Sequence, residues 1–384
     1  MQYKTIGEIC TVVSGTTPKS DKAEYWGGNL IWITPAELKE GNAVIYDSVR
    51  HITKAAVKAS ALKPFPKGTV ILSSRAPIGK VAIAGTQMYC NQGFKNLICS
   101  ESIYNGYLYY YLKAKTAYLN SLGRGATFRE ISKQIVEKIK IPVPSMQEQH
   151  RIADILFKID ALMGKRQQQA EKLDQLVKAR FVEMFGDPVL NCQGFPVRTI
   201  GELTTEVKYG TSKPAVEGGK YPYLRMNNLT IDGKLDLHDL KQIDVDTSEF
   251  EKCVVRKGDV LFNRTNSAEL VGKTAYYGLD EEMIIAGYII RVRVNNLILP
   301  QYLSFYMNMP FMKQRIRSMA KGAVNQANIN SKELKSIKVI VPPLEVQGKV
   351  VEYEERIDRE KDRIQRSAAL LETLKRSLMQ QYFG

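Results

Sequence analysis

Residue types with chemistry to offer are scattered along this chain, and most of the obvious reactions lack a full set of parts. Gly272-Lys273-Thr274 has the ending of a phosphate-binding loop, but the position that needs the first glycine is Ser267, and the related Gly79-Lys80-Val81 lacks the hydroxyl. A β-turn lysine facing a nucleic acid accounts for both. An amino-group methyltransferase should carry an Asn/Asp-Pro-Pro-aromatic tetrapeptide; here Pro342-Pro343 lies between Val341 and Leu344. Acid-x-Lys tripeptides at Glu37–Lys39, Asp239–Lys241 and Glu333–Lys335 are what chance supplies in a chain with 25% charged residues. Three isolated histidines (His51, His150, His238) argue against a serine-type triad and, with five cysteines lacking CxxC spacing, against a zinc site. Intrinsic catalysis is not expected, nor any cofactor or metal on this chain.

What remains is recognition chemistry. The formal net charge of +15 suits a polyanionic partner, because each Lys or Arg set against a phosphate releases condensed counterions. Arg suits guanine and Asn or Gln suits adenine in the major groove, while Lys and hydroxyls add phosphate contacts. Polar insertions among apolar strands supply candidates. In the first half these are Arg75, Lys80, Asn91 and Gln92, with Arg124, Thr127 and Arg129 on a second glycine-rich loop; Arg225, Asn227, Arg264, Asn266, Lys273, Asn325 and Gln326 are those of the second half. Asn91 and Asn266 equally suit a turn-fixing role, and Trp26 and Trp32 fit a core better than a DNA wedge.

The elements that position these residues come in two copies. Ile6-Gly7-Glu8-Ile9 returns as Ile200-Gly201-Glu202-Leu203, and Gly15-Thr16-Thr17-Pro18-Lys19 is echoed by Gly210-Thr211-Ser212-Lys213-Pro214. Lys67–Leu72 matches Lys257–Phe262, Ile78-Gly79-Lys80 matches Val271-Gly272-Lys273, and Ile139–Pro144 matches Ile337–Pro342. From Gln149 and Gln347 onward the offset holds at 198 as far as Phe185-Gly186 and Phe383-Gly384. Such a period is too long for a solenoid and indicates one duplicated module. Each globular part reads as mixed, mainly β, with strands near 69–72, 81–84, 260–262 and 288–294 and one helix each near 103–119 and 300–320.

Each copy closes on a proline-free stretch with heptad spacing. Ile152, Ile159 and Leu173 form one line, Ile155, Leu162 and Leu176 another, and Leu156, Met163, Ala170 and Val177 widen the stripe. The second copy keeps the register with Val350, Ile357, Ile364, Leu371 and Leu378, flanked by Val346, Tyr353 and Leu374. Forty residues at 1.5 Å make a rod of roughly 60 Å. Two equivalent rods are expected to pair as an antiparallel coiled coil with a pseudo-two-fold axis, holding two readers over half-sites roughly one helical turn apart. Exposed Arg166, Gln167, Lys172, Arg356 and Arg363 are a solvated face by default. The start of the chain has no secretory pattern and no apolar run spans a bilayer, so a cytoplasmic protein is expected.

The chain as a whole resembles the specificity (S) subunit of type I restriction–modification systems. The resemblance is carried by Gly15–Pro18, Tyr25–Gly28, Trp32–Pro35, Ile78–Val81 and Asn91–Phe94, then by Phe262–Ser267 and Glu269–Thr274. It is completed by the turns Pro144–Gln149 and Pro342–Gln347 ahead of each rod. It implies an α+β chain with target-recognition domains at 1–144 and 187–342, a central spacer helix at 145–186 and a distal one at 343–384. It further implies a non-catalytic, sequence-specific subunit that binds double-stranded DNA at a bipartite site, one half per domain with an unread gap. The implied partners are two copies of a methyltransferase (M) subunit and a restriction/motor (R) subunit, which would hold the S-adenosylmethionine, ATP and magnesium. A stand-alone DNA-binding regulator is the main rival, separable by whether it protects its site unaided. A purely structural coiled-coil linker is a third reading.

Overall fold

The structure, a computed structural model, describes all residues except 1, 40, 126–128, 187–190 and 324–325, and all side chains of the rest except those of 178, 321, 323 and 326. The chain divides into two compact units: Met1–Gln169 with Ile364–Gly384, and Ala170–Arg363. Each contains a mixed α+β head and segments of both long helices. Among the described residues no helix is long and apolar enough to cross a membrane.

In the first unit a five-stranded sheet runs in the order Cys10–Ser14, Phe94–Cys99, Val70–Ser73, Val81–Ala84, Val44–Ile45. Its central strand Val70–Ser73 is buried at every position, as expected of a strand covered on both faces. A second sheet orders His51–Ile52, Trp26–Ile33 and Tyr89–Cys90, with Trp32-Ile33 parallel to Tyr89-Cys90. The second unit repeats this plan. Thr204–Tyr209, Ile289–Val294, Val260–Asn263 and Thr274–Tyr276 form the first sheet; in the other, Tyr223-Leu224 runs parallel to Ile284-Ile285. The strands read from sequence therefore exist, and the duplication is structural.

Two features were not legible in the sequence. First, each head is closed by pairing its opening and closing strands antiparallel: Gln2–Thr5 with Lys140–Val143, and Val197–Thr199 with Lys338–Ile340. Second, the single helix expected in each head is broken in two. Asn105–Ala114 gives way to Thr116–Ser121 at Lys115, and Pro300–Asn308 to Pro310–Met319 at Met309. Met309 is extended (ψ 143°) because the Pro310 ring excludes the helical conformation from its predecessor.

The long helices span Met146–Phe185 and Leu344–Phe383. In the first unit Asp160 pairs with Lys375, while Arg151 lies 5.6 Å from the Tyr382 ring centroid. In the second, Asp174 pairs with Lys361 and Arg180 lies 5.9 Å from the Tyr353 ring. Within each unit residue numbers rise along one segment as they fall along the other, so the segments pack antiparallel. Ile152, Leu156 and Ile159 are buried, as are Phe181, Phe185, Val350 and Ile357. The second predicted line does not hold: Leu162 and Leu176 stay 46% and 49% exposed, and Leu374 48%. The seam instead follows 152, 156, 159, 163, 166, 170, 173 and 177, alternating steps of four and three, which puts the half-buried Arg166 on it.

Each helix is fastened to its own head by one buried glutamine. Gln149 accepts from the Tyr104 amide (2.8 Å) and donates to the carbonyls of Ser102 (3.1 Å) and Pro144 (2.9 Å). Gln347 accepts from the Leu299 amide (2.8 Å) and donates to those of Leu297 (3.1 Å) and Pro342 (2.8 Å). Both side chains are fully buried. An amide supplies one acceptor and two donors in a single plane, which is the set these loop ends leave unpaired.

Candidate nucleic-acid interface

In each head the loop after the central strand, the Gly–Lys turn and the loop after Gly15 or Gly210 are held by matching backbone bonds. Gly79 N–H donates to Ser73 and Gly272 N–H to Asn263; Thr16 N–H donates to Cys90 and Thr211 N–H to Ile285. Gly79 and Gly272 have φ of +93° and +82°, a conformation that favours glycine. Gly15 and Gly210 are needed for close approach: a Cβ there would sit 2.0 and 2.1 Å from carbonyl oxygens of Asn91 and Ile285.

In the first unit these loops border a cleft of about 750 Å³ that brings together Arg75, Asn91, Thr34, Asn120 and Arg129. Asn91 acts as a turn fixer, its Oδ1 accepting from Gly93 N–H at 2.9 Å. Gln92 is exposed and accepts from the Thr17 hydroxyl. Lys80 is half-buried, its Nζ 3.4 Å from the Pro35 carbonyl. Arg124 is exposed on the second loop, its backbone bridged to Glu130. Thr127 lies outside the described residues.

In the second unit a cleft of about 550 Å³ gathers Arg225, Asn227 and Arg264 with Lys213 and Tyr288. Arg225 donates to the Asp239 carboxylate (2.7 Å), and Asn227 is exposed. Arg264 lies 5.0 Å from the centroid of the Tyr209 ring. Asn266 is a turn fixer, donating to Asn263 Oδ1 and accepting from Ser267 N–H, each at 2.9 Å. Asn325 lies outside the described residues; Gln326 belongs to the strand Gln326–Asn328, and its side chain is likewise outside them.

Lys273 corrects the expectation of a turn lysine facing phosphate. It is buried, and its Nζ donates to the Met226 carbonyl at 2.7 Å. Burial holds its pKa below the ordinary lysine value. Nearby Lys313 is pushed down to about 7, first by burial and then by the charges of Arg317 and Lys273; its Nζ donates to the Gly272 carbonyl. Both border a different cleft of about 470 Å³, where burial and then Asp358 raise Glu354 to about 8.

Trp32 is buried, and Trp26 packs against it edge-on at 5.1 Å, under the Arg50 guanidinium. Sequence reasoning missed Thr34 and Asn120 in the first cleft, Lys213 and Tyr288 in the second, and the Tyr209 ring beside Arg264. The echo of Gly15–Lys19 in Gly210–Pro214 was the available signal for Lys213. Among the described residues no group of three or more His, Cys, Asp or Glu is placed to hold a metal ion.

Concave faces lined by Arg and Asn in each head, with Lys and Tyr added in the second, on a scaffold used twice, define a protein with two unlike recognition heads. The chain belongs to the family described as type I restriction modification DNA specificity domain, whose model matches residues 1–172 and 194–375. It is 36% identical over 248 residues to the type I restriction enzyme MjaIX specificity subunit of Methanocaldococcus jannaschii, a match covering 59% of this chain and 57% of that one. Thus it spans just over half the length of that relative. It is also 24% identical to the EcoKI specificity subunit of Escherichia coli, over 94% of this chain and 82% of that one. The fold matches the S subunit of a type I restriction–modification system from M. genitalium with a TM-score of 0.62 at 17% identity, covering 100% of this chain and 96% of that one.

Proposed function

We propose that this chain is the sequence-specific DNA-binding subunit of a type I restriction–modification complex. It recognises a bipartite target, one half-site per head with an unread gap, and directs two methyltransferase subunits and a restriction/motor subunit to it. The chain itself performs no chemistry. The methyl donor, ATP and magnesium belong to those partners, and the complex works on DNA in the cytoplasm. The observation that carries this reading is the pairing of a repeated scaffold, down to the Gln149 and Gln347 clasps, with clefts of different composition. A duplicated frame with unlike contact surfaces suits a target of two unlike halves. The names of the relatives support it, as does a second solved structure of matching fold (TM-score 0.57, 19% identity), one described as bearing on complex assembly of the type I R-M system.

The test is to map methylated bases in cells carrying this gene with its methyltransferase partner. A gapped motif with a methylated adenine is expected, and exchanging residues 1–144 for another reader should change one half only. A motif with no unread gap refutes the reading. Protection of the site by the chain unaided would favour a stand-alone regulator instead.

A further inference from the structure

The second cleft contains three cations, and two of them are neutralised. Lys213 pairs with Glu249, and Arg225 with Asp239. The guanidinium of Arg264 has no carboxylate and no hydrogen-bond acceptor among the described residues, and its Nε is buried. It is nonetheless held in place. Its own N–H donates to Tyr288 and its carbonyl accepts from Ile329, both at 2.9 Å. Its guanidinium rests by the Tyr209 ring, and the Tyr209 hydroxyl accepts from the Ser331 amide at 2.8 Å. A cation fixed against an aromatic face keeps its charge and loses little freedom when a ligand arrives.

The first head clarifies what that ligand is. Ser74 occupies the place of Arg264, since its N–H donates to Gly93 and its carbonyl accepts from Ile131 in the same way. The arginine of that loop stands one residue later, as Arg75, in the first cleft. Both heads thus present an arginine on the same turn beside the same Gly–Lys pair, although the rest of the two clefts differs. A feature shared by two readers of unlike half-sites serves what the half-sites have in common, which is the sugar–phosphate backbone. A guanidinium fork matches two oxygens of a phosphodiester.

We infer that Arg264 is a sequence-independent phosphate clamp of the second head, with Arg75 its counterpart in the first. The inference rests on the DNA-binding function proposed above. Base discrimination then falls to the residues by which the clefts differ, such as Asn227 and Tyr288.

The test uses the full chain in complex with its methyltransferase subunit. Binding of wild type and Arg264→Gln is measured over a salt series on a target duplex and on an unrelated duplex, and the methylated motif is mapped for both. The variant should lose roughly tenfold in affinity on both duplexes. Its plot of log affinity against log salt should be shallower by about one, with the motif unchanged. A motif altered at a base, or a loss confined to the target duplex, overturns the clamp, as does unchanged binding. Should Arg264→Gln fail to fold, Tyr209→Leu decides. It keeps the charge but removes the platform, so both duplexes should weaken alike with the slope retained; a loss on the target alone, or none, overturns the inference. A wild-type complex that binds no duplex at any salt defeats the proposed function itself, which is a separate result.

Discussion

Replacing Gln149 by leucine removes the clasp between the first head and its helix at nearly constant volume. The Tyr104 amide and the carbonyls of Ser102 and Pro144 then lose their partner in a site where the glutamine was fully buried. Each buried polar group left unpaired costs about 1–3 kcal/mol. Carbonyls tolerate this better than an amide, and the leucine returns some apolar burial, so a net loss of about 3–5 kcal/mol is expected. At roughly 2–4 °C per kcal/mol for a unit of this size, its thermal transition should fall by about 10 °C. Calorimetry with hydrogen exchange reads both the magnitude and the place. Exchange should accelerate in the first unit, and the Tyr104 amide should lose its protection, while protection in the second unit is kept. Gln347→Leu should give the mirror result, with the Leu299 amide released. A shift below about 1 kcal/mol, or equal loss of protection in both units, would refute the claim that each clasp acts on its own head.

Gly210→Ala should destabilise the second unit by roughly 2–4 kcal/mol, because the new methyl meets the Ile285 and Ala286 carbonyl oxygens at 2.1 and 2.4 Å; thermal melting that matches wild type would show that this backbone can shift. Glu354 should make stability depend on pH. Its folded pKa of about 8 lies above the ordinary 4.5, so its favourable contribution is full below about 4.5 and is lost as pH rises toward 8. Urea unfolding of Glu354→Gln should therefore show a smaller decline than wild type between those values, and parallel curves would count against that burial.

The duplication was legible because the residues that fasten and fill the scaffold recur in kind: the two glutamines, the Gly–Lys turns and the apolar heptads. Local pattern also gave the central strands, whose β-branched residues are buried. What was not legible depended on distant partners. Lys273 looks like a turn lysine, but its acceptor is Met226, 47 residues away. Leu162 and Leu176 fit a heptad as well as their neighbours do; only the position of the opposing helix decides which line is covered. The arginines, asparagines and lysines of the clefts were largely named from their types, and the turn-fixing alternative stated for Asn91 and Asn266 fits their hydrogen bonds, but the pairing of Arg225 with Asp239 could not be read from sequence. The neutralising partner is a matter of tertiary geometry.

Because Gln2–Thr5 lies alongside Lys140–Val143, and Val197–Thr199 alongside Lys338–Ile340, the polypeptide enters and leaves each head at neighbouring points. A head is therefore a cassette with a single doorway. Exchange with breakpoints in those paired strands would transplant a whole head while leaving the rods and both clasping glutamines in register, so the scaffold accepts a replacement as one piece, with no gradual remodelling of a working surface.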